Sequence, residues 1–219
     1  MKNIKKLFLL GSGWISTQGY GFSNSCPLFS DQNNEFELKF PPLEEMLEEL
    51  PTRYGRFDIF TKIVFSTACL SLKDANFLSK DKKRNVGIVV GTSYGTTEND
   101  ILFFKTTIEK NGLFTSPNLF SYTLPNISIG ELAVYFSFTG PTFCVGNQSD
   151  NPGIEALMAS FSILNENLCD IVLVGCVESN KNLSFYGGMF SLISTEKNKN
   201  IKKEFSVNET KNFLDLFGV

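Results

Sequence analysis

Histidine is absent from this 219-residue chain. Without it there is no imidazole to serve as general base, to activate a serine or cysteine, or to ligate a metal. The five cysteines, Cys26, Cys69, Cys144, Cys169 and Cys176, have no C-x-x-C spacing. A metal site would need cysteines and carboxylates alone, and no cluster of these suggests one. Cys69, Cys144 and Cys176 sit in apolar runs and read as buried, reduced thiols. With an odd cysteine count, this suits the cytoplasm. There is no excess of basic charge: the net charge is −3, which gives no case for a nucleic-acid partner. The cluster Lys80, Lys82, Lys83 and Arg84, and a second from Lys197 to Lys203, read as solvated loops. Their functional alternative is the docking of an acidic carrier protein. Long apolar runs are missing too. Leu7–Leu10 is interrupted by Gly11-Ser-Gly13, which makes it a first strand ending in a turn and not a signal segment, and nothing is long enough to span a membrane. Neither an internal repeat nor a low-complexity tract is found.

What is present is phenylalanine, 22 copies of it. That is enough to fill a core and still line an apolar tunnel or a subunit interface. The length allows one substantial core, and 1–219 reads as a single domain.

Periodicity supplies the elements. Leu43, Met46, Leu47 and Leu50 have helical spacing between Pro42 and Pro51, which predicts a short surface helix. Phe57, Phe60, Ile63, Val64, Ala68 and Leu72 predict a strong helix over 57–77. Val86–Val90 is a continuous apolar strand of the kind buried on both faces. Helices follow over 98–111, with Ile101, Phe104 and Ile108 on one side, and over 126–138, with Ile129, Leu132, Ala133 and Phe136 as the face. Between them, Gly112–Pro125 is an aromatic loop or broken helix. Thr142–Val145 and 169–174 are strands flanking a helix over 153–165. Residues 19–42 read as loop and short ribbon, 194–209 as a flexible loop, and 212–217 as a last strand or short helix. The alternation of strands and helices implies an α/β fold with a largely buried sheet.

Several segments, in order, resemble the N-terminal half of a β-ketoacyl synthase. They are Leu9-Leu-Gly-Ser-Gly-Trp-Ile-Ser16, Arg56-Phe-Asp-Ile-Phe60, Asn85-Val-Gly-Ile-Val-Val-Gly-Thr-Ser-Tyr-Gly95, Ser116-Pro117, Leu124-Pro-Asn126, Gly130, Gly140-Pro141 and Cys169-Asp-Ile-Val-Leu-Val-Gly-Cys-Val-Glu178. The resemblance covers roughly residues 5 to 180. It implies a thiolase-like fold, a mixed sheet with flanking helices, truncated relative to a full ketosynthase.

The departures bear on function. The family's nucleophilic cysteine follows Gly-Pro and precedes a helix. Counting forward from Gly140-Pro141 puts that position on Ser149, and counting back from Gly153-Ile-Glu-Ala-Leu157 puts it on Asp150. Neither is cysteine; Asn147-Gln-Ser-Asp150 stands there instead. On the residues alone, Ser149 or Asp150 reads as the cap of a helix that has Pro152 in its first turn. The histidines that the family carries in its second half have no counterpart. The resemblance therefore implies a chain-length-factor-type subunit, as in aryl polyene biosynthesis. It would be inactive itself, would use no cofactor, and would pair as a heterodimer or higher assembly with a full-length ketosynthase, meeting the acyl carrier protein through that complex. In this fold the partner is met through the strand before the nucleophile, here Thr142, Phe143, Cys144 and Val145. The aromatic loop with Phe114, Phe120, Tyr122 and Leu124 would reach the partner's acyl tunnel. The alternatives are a serine-dependent acyl transferase or hydrolase using Ser149, against which the lack of histidine and of a G-x-S-x-G elbow argues, and a scaffold that only stabilises its partner.

Overall fold

Val86–Val90 has no polar face, so it needs cover on both sides, and the fold supplies it. The computed structural model describes residues 6–22, 37–146, 149–181, 183, 185–197 and 201–218. Strand β3 (Val86–Gly91) lies between β4 (Thr142–Val145) and β5 (Ile171–Glu178), parallel to both. Beyond β5 the sheet turns antiparallel through β6 (Gly187–Ser194) to β1 (Leu7–Ile15), and β1 carries β2 (Tyr20–Phe22) and β7 (Lys203–Phe205) on its far edge. The order is β2-β1-β6-β5-β3-β4 with β7 beside β1, a mixed sheet with flanking helices.

One face of the sheet is covered by α1 (Ile59–Asp74) and α4 (Pro125–Phe136). The other is covered by α5 (Pro152–Asn165) together with the last part of the chain. Helix α1 begins where the Asp58 carboxylate accepts the Thr61 N–H at 2.9 Å, satisfying one of the open donors of the first turn. Its Phe60, Ile63, Val64, Phe65 and Leu72 are fully buried.

Gly11-Ser-Gly13 does not end the first strand, as the sequence suggests; β1 runs on through Ile15. A Cβ on Gly11 would come within 2.5 Å of the Ala75 nitrogen, and one on Gly13 within 2.4 Å of the Leu70 Cβ. The two glycines let α1 lie directly on the strand, and the Ser71 hydroxyl donates to the Gly11 carbonyl at 3.1 Å across that contact.

Other expectations shift. The helix expected over 43–50 is one 3-10 turn, Leu43–Glu45, with Leu43 and Leu47 buried as anchors. Helix α2 is Thr97–Ile108 and passes into a 3-10 turn, Glu109–Gly112. Strand β6, fully buried, has no counterpart in the elements expected from the sequence. Within 194–209, expected as flexible loop, β7 pairs with β1 and a 3-10 turn follows at Val207–Glu209, so residues 203–209 are tied down by Phe205 and Val207, both buried on the α5 face, while 198–200 lie outside the described residues. Residues 213–217 form a 3-10 turn, closed at its start by a capping box between Asn212 and Asp215.

Candidate functional site

The three parallel strands end together at Gly91, Val145 and Glu178, and the chain builds its cleft outside those carboxyl ends, where open α/β sheets characteristically hold ligands. After Gly91 the turn Thr92–Gly95 leads into α2. After Val145 the chain passes Gly146 and enters α5. The two arms touch: a Cβ on Gly91 would fall 1.9 Å from the Pro152 carbonyl oxygen, so only glycine lets the start of α5 seat there. The cleft has a volume of about 580 Å³ and lies between the Thr92–Gly95 turn, the start of α4 at Leu124–Asn126 and the end of β4.

Strand β4 is the outer strand on this side of the sheet, and its four residues Thr142, Phe143, Cys144 and Val145 are half-buried. Asn126 reaches it from α4, its side-chain oxygen accepting the Cys144 N–H at 3.0 Å. The Cys144 thiol borders the cleft. Burial pushes it up to about 12, so at neutral pH it is a thiol and not a nucleophilic thiolate. Burial also raises Cys69, Cys169 and Cys176. All four described cysteines are free; Cys26 lies outside the described residues. Among the described residues no three histidine, cysteine or carboxylate side chains gather as metal ligands, and no helix is long and apolar enough to cross a membrane.

Ser149 is half-buried and Asp150 exposed at the entrance to α5, while Asn147 and Gln148 lie outside the described residues. Neither Ser149 nor Asp150 caps the helix. That position is taken by Asn151, whose side chain accepts the Ile154 N–H at 3.4 Å, with Pro152 first in the helix. The cap falls one residue after Asp150 and two after Ser149, because the Ser149 hydroxyl is used in a tight turn: it accepts the Asn151 N–H at 3.1 Å and bonds the Glu155 carboxylate. The Ser149 N–H donates to the Gly146 carbonyl at 2.8 Å, and the Ser149 carbonyl accepts from the Ser93 hydroxyl at 2.6 Å. Glu155 is the acceptor a serine nucleophile would need. Among the described bonds, however, no third group orients it, so the base–orienter relay of a nucleophilic serine is not assembled here.

The aromatic loop divides. Phe114, Phe120 and Leu124 are 68%, 62% and 63% exposed. Tyr122 is 3% exposed and stands edge-on to Phe57 with ring centroids 5.9 Å apart, so it belongs to the chain's own core and does not point outward, contrary to the expectation that it reaches a partner. A four-residue helix, α3 (Pro117–Phe120), capped by Ser116, turns the loop so that Phe120 lies outside against Phe103 while Tyr122 turns in. The exposed apolar side chains concentrate in the segment that contains α2, α3 and the start of α4, and Tyr94 and Leu124 among them line the cleft. Of the fifteen exposed large hydrophobic residues described, eleven lie between Tyr94 and Val134.

Beneath the cleft, Glu178 is 3% exposed. Its carboxylate accepts the main-chain N–H groups of Ser93 and of Tyr94, the latter at 3.3 Å. Burial raises its proton affinity, and these hydrogen bonds lower it. Glu178, the 92–95 turn and Asn126 appear in the sequence only inside matching segments. The available signal was their place just after parallel strands or at a helix start.

The comparisons agree with this geometry. The family model of the beta-ketoacyl synthase N-terminal domain matches residues 33–206, more than half of the chain. No curated protein matches significantly by sequence. The ishigamide ketosynthase/chain length factor is similar in structure with a TM-score of 0.61 at 16% identity, over 87% of this chain and 62% of that one. AntDE:AntF, a type II PKS acyl-carrier protein in complex with its ketosynthase bound to the hexaketide, gives 0.61 at 16% identity, over 87% and 63%. The ketosynthase ApeO in complex with its chain length factor ApeC, from Xenorhabdus doucetiae, gives 0.62 at 11% identity, over 86% and 79%. The chain thus spans about three fifths of the length of the first two. At such identities the likeness is one of fold.

Proposed function

The chain belongs to the beta-ketoacyl synthase family through its N-terminal domain, and on that premise we propose that it is a non-catalytic subunit of the chain-length-factor type. It pairs with a full-length ketosynthase and helps shape the tunnel in which that partner's acyl or polyene chain grows. The observation that carries this reading is the concentration of exposed large apolar side chains between Tyr94 and Val134, two of which, Tyr94 and Leu124, line the cleft. Large exposed apolar patches mark interaction sites, and β4 has a strand neighbour on one side only and carries no charge or proline. Inactivity is supported by serine or aspartate where the family has its nucleophile and by the raised Cys144 thiol. The chemistry of such a pair is acyl condensation on a carrier protein, in fatty-acid, polyketide or aryl-polyene biosynthesis. The chain itself uses no cofactor, and its free thiols suit the cytoplasm.

Co-expression with a full-length ketosynthase tests the proposal. We expect a stable heterodimer with an interface above roughly 2,000 Å², the range of permanent complexes. Condensation should occur only when the ketosynthase is present. Turnover by the purified chain alone, lost in Ser149→Ala, would establish the acyl-transferase alternative instead.

A further inference from the structure

A carboxylate buried at the end of a strand is costly unless its oxygens are met by donors. Glu178 ends β5 and is met by the main chain of a different element. Both of its oxygens face the turn that follows β3, one accepting the Ser93 N–H and the other the Tyr94 N–H. The hydroxyls of Thr92 and Ser93 lie beside it. The turn is braced from its other end too, since the Gly95 N–H donates to the Thr92 hydroxyl at 2.8 Å and the Ser179 hydroxyl to the Gly95 carbonyl at 3.2 Å. Ser93 then reaches across to the Ser149 carbonyl at 2.6 Å. One buried side chain is therefore connected, through a single turn, to both the cleft wall and the segment entering α5.

We infer that Glu178 is a positioning residue for the cleft: it holds Thr92–Gly95 as the cleft's wall through two main-chain N–H groups and, through Ser93, ties that wall to Ser149. The chemistry requires a carboxylate specifically. Two N–H donors converge on two oxygens that are both acceptors. An amide of the same size would set its own NH₂ against one of them, leaving a buried donor unsatisfied. The turn would then be free to leave the position that shapes the cleft. This inference rests on the proposed function only in the claim that cleft shape governs the partner's product.

Hydrogen–deuterium exchange on the full chain by itself separates the two levels. In Glu178→Gln, the segment 92–97 should exchange on the order of tenfold faster while α1 keeps its protection, because loss of a local anchor opens its own segment and not the core. Glu178→Asp, one methylene shorter but still a double acceptor, should recover part of the protection. Exchange unchanged at 92–97, or accelerated equally in α1, would overturn the inference. Should Glu178→Gln fail to fold, Ser93→Ala still decides the tie to Ser149: it leaves the Glu178 acceptors in place, so 149–154 should exchange faster while 92–97 stays protected. Unchanged exchange at 149–154 would remove that tie. In the pair reconstituted with a ketosynthase, Glu178→Gln should broaden the product-length distribution with the complex intact. Faster exchange at 92–97 with an unaltered distribution would uphold Glu178 as the anchor and count against the tunnel-shaping function proposed above.

Discussion

Helices α1 and α2 carry the same kind of apolar spacing and end in opposite surroundings. Twelve of the sixteen residues of α1 are buried, between β1 and β6 on one side and α4 on the other. In α2 only Asn99 is buried, and Ile101, Leu102, Phe104 and Ile108 are all at least half exposed. A 3.6-residue period reports that a helix has an apolar face; it does not report what covers the face. For α1 the cover lies in this chain. For α2 nothing among the described residues covers it, which is why the proposed partner is placed there.

The comparison breaks most sharply at Phe65, fully buried among Tyr54, Phe57, Tyr135 and Phe136. Phe65→Ala should cost about 3–5 kcal/mol, read as a lower urea midpoint at unchanged m-value. Tyr122→Ala should behave as a core deletion of the same kind. A Tyr122 variant with wild-type stability and altered partner binding would return that residue to the outer surface.

Next comes the contact that lets α1 reach the sheet. Gly13→Ala sets a methyl group 2.4 Å from the Leu70 Cβ and 2.6 Å from the Ser71 nitrogen, and backbone cannot yield as a side chain does. We expect a loss of about 1–3 kcal/mol. A melting temperature equal to wild type would show that the helix lies less closely on β1 than the structure has it.

A smaller effect concerns acid. Asp58, Asp100 and Glu178 all have raised proton affinities, with burial the first cause in each, and Asp58 adds to the effect at Asp100. The folded state therefore holds more protons than the unfolded chain just above the ordinary carboxylate range. Stability from this source is fully present below the unfolded values and is lost as pH rises through the folded ones. One oxygen of Asp100 is buried without a hydrogen-bond partner. Asp100→Asn should raise the melting temperature at pH 7 and flatten its fall between pH 4 and pH 7. A steeper fall would reverse the sign assigned here.

The smallest effect on stability belongs to α2 and its loop. Phe104→Ser and Phe120→Ala should shift stability by no more than about 0.5 kcal/mol, as for other exposed positions. Both should weaken capture of the ketosynthase, and Phe120→Ala or Leu124→Ala should lengthen its product if these side chains stop the growing chain. Loss of stability with binding intact would make α2 an ordinary core helix and remove the contrast with α1.

The fold was legible wherever a pattern had one physical solution. An unbroken apolar run such as Val86–Val90 must be buried on both faces, and of the expected face of α4 Ile129, Leu132 and Phe136 are fully buried while Ala133 is half-buried. Strand β6 is not legible in the sequence because buried strands lack alternation, and its Gly187-Gly188 start reads as a loop. At the site, the departures from the family's nucleophile could be counted along the chain, but Asn151 as cap and Glu178 as anchor could not. Each depends on which groups are left without partners once distant segments meet.

By itself, then, the sequence determined the α/β class, the family resemblance and the absence of any imidazole, because composition, period and ordered motifs are local properties. Only the tertiary structure decided that Gly11 and Gly13 serve helix approach and not a turn, that Tyr122 points inward while Phe120 points out, and that Glu178 reaches a turn 84 residues away in the chain. Those outcomes depend on burial and on hydrogen-bond partners, and both are set by residues remote in sequence.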